Sequence, residues 1–300
     1  MATQFRPALG VFWMFVTGLL FVAVTAIVKH IGDAVPAAQA AFLRYVLGLA
    51  LLIPIITGSM LRAGLDRRSL RLFGLRGVVH ALGVILWFFA MTQIPIAEVT
   101  AMNYLSPVYV TIGAALFLGE RLALRRILAV SAALAGTAII LRPGMRELTM
   151  GHVAMLGTAA MFAASYLIAK VMADRVSPIV VVGMLSITVP VGLAPFALAV
   201  WVTPTWSDIG WLFLVACFAT AGHYTMTLAF RAAPLTVTQP VTFLQLVWSV
   251  ALGTAIFGEA VDVWVILGGT LILASVSFIT WREAALNRRA VTPAVVATKV

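Results

Sequence analysis

Charge is what this 300-residue chain has least of. Asp, Glu, Lys and Arg make up only 10% of it, against roughly 25% in an ordinary soluble domain. The charges it has are clustered. Charge-free runs lie between Arg6 and Lys29, between Glu98 and Glu120, and over 176–207, 232–258 and 263–281. A soluble all-β chain would interrupt such runs with polar turns every ~8–12 residues, and that punctuation is missing. Cysteine is almost absent: Cys217 stands alone, which excludes an intramolecular disulfide and reads as a small packed hydrophobe. The sequence lacks GxxxxGK[ST], HExxH and paired-cysteine patterns, so neither nucleotide, cofactor nor metal is expected. Acid is scarce as well. Asp66, Asp174, Asp208, Asp262 and Glu283 read as loop or flank charges, which leaves few carboxylates for catalysis. A membrane-embedded enzyme acting on lipid is nevertheless the alternative to a protein that moves solutes.

What is present is apolar length. The chain is 63% hydrophobic, and a helix needs about 20 apolar residues to cross a bilayer core. The interruptions define ten spans, at 9–29, 36–57, 71–92, 96–118, 123–141, 151–171, 178–201, 208–230, 235–257 and 262–281. Pro36, Pro95, Pro178 and Pro234 stand at or beside span starts, where a missing N–H costs little. The first run is too long for a secretory signal, and Lys29-His30 follows it rather than a small-residue cleavage site. It reads as a retained membrane helix.

The net charge of +10 belongs to the loops, where it orients the chain in a bilayer instead of binding nucleic acid. With a cytoplasmic N-terminus, 16 Lys and Arg fall in inside segments and 3 outside, with Arg44 inside a span. Both termini are therefore expected in the cytoplasm, in a bacterial inner (plasma) membrane.

The chain also resembles itself at an offset of 139 residues. Ala90 and Pro95 match Ala229 and Pro234, Tyr104 and Tyr109 match Phe243 and Trp248, and Gly119-Glu120 matches Gly258-Glu259. Arg121, Arg125 and Arg126 become Ala260, Trp264 and Val265. Five spans per repeat is an odd number, so the second copy must thread the bilayer upside down, and the lost basic residues agree. The expected fold is an all-α membrane protein of ten helices in two inverted five-helix repeats, 1–145 and 146–300, the latter with a short cytoplasmic tail. Inverted repeats belong to alternating-access transporters, which bind substrate near the midplane between the halves.

The run Pro95-Ile96-Ala97-Glu98-Val99, then Tyr104-Leu105-Ser106-Pro107, then Leu116-Phe117-Leu118-Gly119-Glu120-Arg121-Leu122 resembles the EamA unit of the drug/metabolite transporter superfamily, with an echo at Ile256-Phe257-Gly258-Glu259. Glu98-Val99 with Met102-Asn103-Tyr104-Leu105 and Pro107 is also similar to the aromatic amino acid exporters of the YddG type, although Leu246 replaces Pro107 in the second half. The resemblance implies export or exchange of amino acids or other small amphipathic metabolites. It also implies a cavity among spans 1–4 and 6–9, with spans 5 and 10 to one side.

Several residues are candidates for that cavity. Arg44 lies roughly 12 Å into the second span at 1.5 Å per residue. An intramembrane charge costs at least ~2.5 kcal/mol on insertion scales. Arg44 either holds a substrate carboxylate or is a structural group paired with Glu98 or backbone carbonyls. Glu98 opens the fourth span, where a carboxylate complements the positive helix end. Proton coupling or recognition of a substrate amine are its other roles. His80 and His223 sit mid-span; histidine is a residue type able to shuttle protons near neutral pH, and the plain alternative is a neutral, hydrogen-bonded ring. Trp87, Tyr104, Tyr166, Phe243 and Trp248 lie away from span ends and offer an aromatic wall, or simple packing, with Asn103, Gln239 and Gln245 as polar handles. Trp13, Trp201, Trp206, Trp211, Trp264 and Trp281 lie near the span ends, as an interfacial belt does. Lys29 and Lys170 end matching helices. Ser131, Ala132, Ala135 and Gly136, with Gly268, Gly269, Ala274 and Ser275, suit either close internal packing or a homodimer seam through spans 5 and 10.

Overall fold

The computed structural model describes residues 6–61, 64–118, 123–173, 175–176, 178–233 and 235–291. Among them there is no strand, and the helices follow the apolar runs. The elements are α1 (Pro7–Ile31), α2 (Ala37–Leu61), α3 (Arg67–Gln93), α4 (Ile96–Asn103), α5 (Leu105–Leu118), α6 (Leu124–Leu141), α7 (Met150–Ala173), α8 (Pro178–Ala199), α9 (Trp206–Ala232), α10 (Leu235–Thr238), α11 (Phe243–Phe257) and α12 (Val263–Val291). Eight segments are long and apolar enough to span a bilayer, and 37–53 and 243–257 are shorter apolar helices. Local chemistry sets several ends. The Asp66 side chain caps α3 through the Ser69 N–H, and Thr205 and Asp208 form a reciprocal capping box on α9. Gly258 closes α11 at φ 64°, a left-handed position that glycine occupies without strain.

The offset of 139 holds in three dimensions. α3 spans 67–93 and α9 spans 206–232, the same interval displaced by 139. The fourth and ninth spans, expected as continuous helices, are both broken, and at matching places. α4 ends at Asn103 with Tyr104 as cap, and a 3-10 turn at Gln239–Thr242 separates α10 from α11. Pro107 cannot donate to the Asn103 carbonyl, and Pro240 lies within the 3-10 turn, so each break has a proline cause.

The halves interlock rather than sit side by side. The most extensive helix pairings are α3 with α7, α1 with α9, α6 with α12 and α2 with α8. Every one joins the first repeat to the second. The first two exchange under the repeat, and the last two map onto themselves, as a pseudo-two-fold axis requires.

Without water to squeeze out, helix association in lipid relies on close approach. Gly136 and Gly268 provide it between α6 and α12: a Cβ on either would collide with the backbone oxygen of the other. Gly269 lies against Ala101 and Leu246, and Ser275 is buried. Internal packing thus uses half of the small residues offered for a dimer seam; Ser131, Ala135 and Ala274 remain exposed.

Candidate functional site

Alternating helix directions put residues 32–36, 94–95, 142–149, 200–205 and 258–262 at one end of the bundle. That end is tied by ion pairs. Glu98, in the first turn of α4, is 3% exposed and meets the Arg146 guanidinium through two hydrogen bonds of 3.0 and 3.1 Å. His152 Nε2 lies 2.6 Å from the same carboxylate. The Thr149 backbone N–H donates to His152 Nδ1 at 3.1 Å, and Arg146 Nη2 lies 2.7 Å from His152 Nε2. Arg142 pairs with Asp262, and Arg146 Nη1 also lies 3.9 Å from Asp262. Lys29 Nζ sits 2.5 Å from Glu259 Oε1 and donates to the Ile94 carbonyl at 2.9 Å. Glu259 in turn accepts from the Ile96 N–H at 3.0 Å, at the positive end of α4. Arg142 holds a left-handed backbone, φ 44°, uncommon for a side-chain-bearing residue. Its ion pair gives that conformation a purpose. Seven side chains from both repeats therefore form an ion lattice over this end in two groups, five around Glu98 and Asp262 and the Lys29–Glu259 pair.

Half-way along the bundle is a second assembly. His80 on α3 has Nδ1 3.1 Å from Ser165 Oγ on α7 and Nε2 3.2 Å from the Tyr45 hydroxyl on α2. Its ring stacks on Phe162 with centroids 4.8 Å apart and planes at 28°. Phe162 reaches this position because Gly83 has no side chain where the ring passes. Trp87 and Tyr166 extend the row, at 6.2 and 6.4 Å from Phe162. The Trp87 Nε1 is buried without a partner. The Arg44 guanidinium lies 4.0 Å above the Tyr45 ring, a cation–π geometry. Arg44 is also within electrostatic reach of His80 and His223, and Arg76 within reach of His80, Tyr45 and Tyr166. Tyr166 is 47% exposed here, although its ring stands among charged and polar neighbours. α2 and α3 of the first repeat and α7 and α9 of the second supply this centre.

Of the residues singled out in the sequence, Arg44, His80, Trp87 and Tyr166 converge on this assembly, and the His223 ring meets Phe21 of α1 edge-on with centroids 5.2 Å apart. The others do not. Tyr104 spans the two helix breaks instead, donating its hydroxyl to the Thr242 carbonyl at 2.7 Å. Asn103 is the last residue of α4, next to that break. Gln245 packs against Gly18 on α1, and Trp248 meets Phe15 edge-on at 6.0 Å. Among the described residues no hydrogen bond or ring contact joins these to His80. Glu98 belongs to the ion lattice, so it is no partner of Arg44. Among the described residues Arg44 pairs with no carboxylate. Lys29 is paired across the repeats with Glu259. The side chains of Lys170 and Gln239, and residues Gly119, Glu120 and Pro234, lie outside the described part.

Sequence reasoning missed Tyr45, Phe162, Ser165 and His152, and counted Arg76 as a loop charge. Arg76 is 5% exposed inside α3, with Nη1 bonded to the Val181 carbonyl at 3.0 Å and Nε unpartnered. Two signals were readable. Arg76 stands nine residues past the start of α3, and His152 follows Thr149 at the three-residue spacing of a reciprocal helix cap.

Comparison with known proteins agrees with this architecture. The chain is 31% identical over 288 residues to a riboflavin transporter of Rhizobium johnstonii, covering 95% of each chain. It is 27% identical over 295 residues to a riboflavin transporter of Vibrio cholerae, covering 96% of this chain and 98% of that one. A solved crystal structure superposes on 94% of this chain and 99% of its own at a TM-score of 0.59 and 21% identity, which shows a shared fold. The EamA-like transporter family matches residues 8–142 and 149–281, the two repeats in turn. With that, the lipid-enzyme alternative falls: the chain is an integral membrane transporter for small molecules and belongs to the EamA-like transporter family.

Proposed function

We propose that the chain is a secondary transporter that moves small amphipathic metabolites bearing an aromatic ring, by alternating access through the mid-bundle centre. The observation that carries this reading is the His80–Phe162–Tyr166–Trp87 row with Arg44 beside it, polar and aromatic at once and drawn from both repeats. Such a wall accepts flat rings of different size. Amino acids, aromatic ones foremost, are one class that suits it. The riboflavin named for two relatives adds a larger heteroaromatic of the same kind. Export or exchange is the expected direction.

In this reading the 142–149 end faces outward and both termini lie in the cytoplasm of a bacterial inner membrane, an orientation that the Lys and Arg distribution supports. The ion lattice then closes the outer mouth, and the state described here has its exit shut. Opening must break the lattice, since Glu98, Glu259 and Asp262 bind partners on other helices or loops. Counterflow in proteoliposomes tests the reading, with labelled tryptophan, phenylalanine and riboflavin outside and the unlabelled solute inside. Transient accumulation of at least one without ATP supports it. Purified protein that moves none of them removes the aromatic assignment.

A further inference from the structure

The mid-bundle centre holds positive charge and, among the described residues, no carboxylate to balance it. Arg44 is 9% and Arg76 5% exposed, and both act on His80. The chain contains ten acidic residues, and those whose side chains the structure describes lie elsewhere. Glu98, Glu259 and Asp262 are engaged in the ion lattice. Asp66 and Asp208 cap α3 and α9. Asp33 lies in the turn after α1, and Glu147 in the 142–149 segment. Glu120, Asp174 and the side chain of Glu283 lie outside the described part. No carboxylate among the described residues approaches either arginine.

Two buried guanidinium groups without a counter-ion are costly in a bilayer, where charges ordinarily pair or face a polar cavity. Packing alone does not account for them. The Arg76 Nε has no acceptor, and Nη1 is bonded only to a neutral carbonyl. Arg44 lies on the Tyr45 ring with its donors unclaimed by any described side chain. Guanidinium forks match the two oxygens of a carboxylate or phosphate. The Tyr45 ring lies against Arg44 and its hydroxyl meets His80, and Phe162, stacked on that imidazole, leads on to Tyr166.

Resting on the transport reading above, we propose that the substrate is an aromatic organic anion, its ring on the Phe162–Tyr166 row and its carboxylate or phosphate between Arg44 and Arg76. The charge that the protein leaves unbalanced is supplied by the cargo. A neutral ring lacks the counter-charge, and a cationic one adds to the repulsion.

The test is ligand binding to the purified full-length chain, read as thermal stabilisation over a concentration series. The pairs are indole-3-acetate with indole-3-acetamide, and riboflavin 5′-phosphate with riboflavin; tryptamine is the cation. Hydrogen bonds to charged groups predict that the anion of a bound pair binds about tenfold more tightly than its neutral partner. Tryptamine should not bind. Arg44→Gln and Arg76→Gln should each bring the pair to within roughly twofold. Should either fail to fold, Arg44→Lys and Arg76→Lys keep the charge and should keep the preference. The proposal is overturned if no anion binds, if neutral ligands or tryptamine bind as tightly, or if both Gln variants retain the preference. Counterflow separates the two readings. Flux of neutral rings without anion preference removes only this proposal, and anion binding without flux removes only transport.

Discussion

Replacing Glu98 by Gln should unlatch the outer mouth. The carboxylate receives two guanidinium hydrogen bonds, at 3.0 and 3.1 Å, and lies 2.6 Å from His152 Nε2. A Gln amide keeps one acceptor oxygen but turns an NH2 toward the remaining donors. Charge-assisted hydrogen bonds contribute about 1.5–3 kcal/mol each, and losing one partner of a buried pair costs ~3–5 kcal/mol. Part of that loss is shared by every conformation. If only ~2 kcal/mol belongs to the closed state, the closed-to-open ratio falls about 30-fold. The reporter is Thr100, 3% exposed beneath the lattice, where its hydroxyl meets Ser249 across the repeats at 2.6 Å. A Thr100→Cys chain in a Cys217→Ala background is treated with an impermeant maleimide from outside. Adding Glu98→Gln should raise the labelling rate about 30-fold, with the parent rate set by rare opening. Lys29→Gln, which cuts the separate tie to Glu259, should raise it by less. An unchanged rate in a well-expressed Glu98→Gln chain would show that the ion lattice does not hold the mouth shut.

Gly136→Leu drives a side chain into the Gly268 backbone and Ile272 and should lower the Tm by an overpacking cost of about 1–3 kcal/mol; the same change at exposed Ala135 should leave it unaltered. Gly83→Val displaces the Phe162 ring from His80 and should raise the apparent KM for aromatic solutes at normal expression, a change that flux assays would detect. Tyr104→Phe removes the bond to the Thr242 carbonyl that joins the two helix breaks, at a net cost of about 1 kcal/mol; it should alter kcat more than KM, because the ring is not part of the mid-bundle row. Cysteines at Arg146 and Arg282 report topology: intact cells should label the first and not the second with an impermeant reagent, and the reverse result would invert the bundle.

The architecture was legible because its causes are additive along the chain. Length, apolarity and sparse charge set the ten spans, and the lost basic residues after Gly258-Glu259 gave the inversion. The helix breaks were harder to read. Pro107 and Pro240 were in plain view, but Leu246 in place of Pro107 hid their equivalence, since the second repeat breaks through a different proline. At the site, Arg44, His80, Trp87 and Tyr166 stood out by depth and chemistry. Phe162 did not, because an apolar ring in an apolar helix carries no signal until Gly83 is seen to make room for it. Glu98 was recognised as anomalous but lacked its partners, which arrive from Arg146 and His152 roughly fifty residues on. Tyr104 and Trp248 lie apart from that row. Symmetry and aromaticity recommended them, yet one ties the helix breaks together and the other packs on Phe15. Direct pairing between repeats is a property of the assembled bundle, and no local pattern encodes it.

The central claim is that the mid-bundle centre carries a solute from one side of the bilayer to the other. Counterflow with the parent chain beside the Phe162→Ala and His80→Ala variants tests it most directly, each reconstituted at equal density. Parent vesicles should accumulate a labelled aromatic metabolite transiently without ATP, and both variants should lose most of that flux while keeping the parent's elution profile. Equal flux through all three would contradict the account, because the solute would then be passing somewhere other than the His80–Phe162 stack.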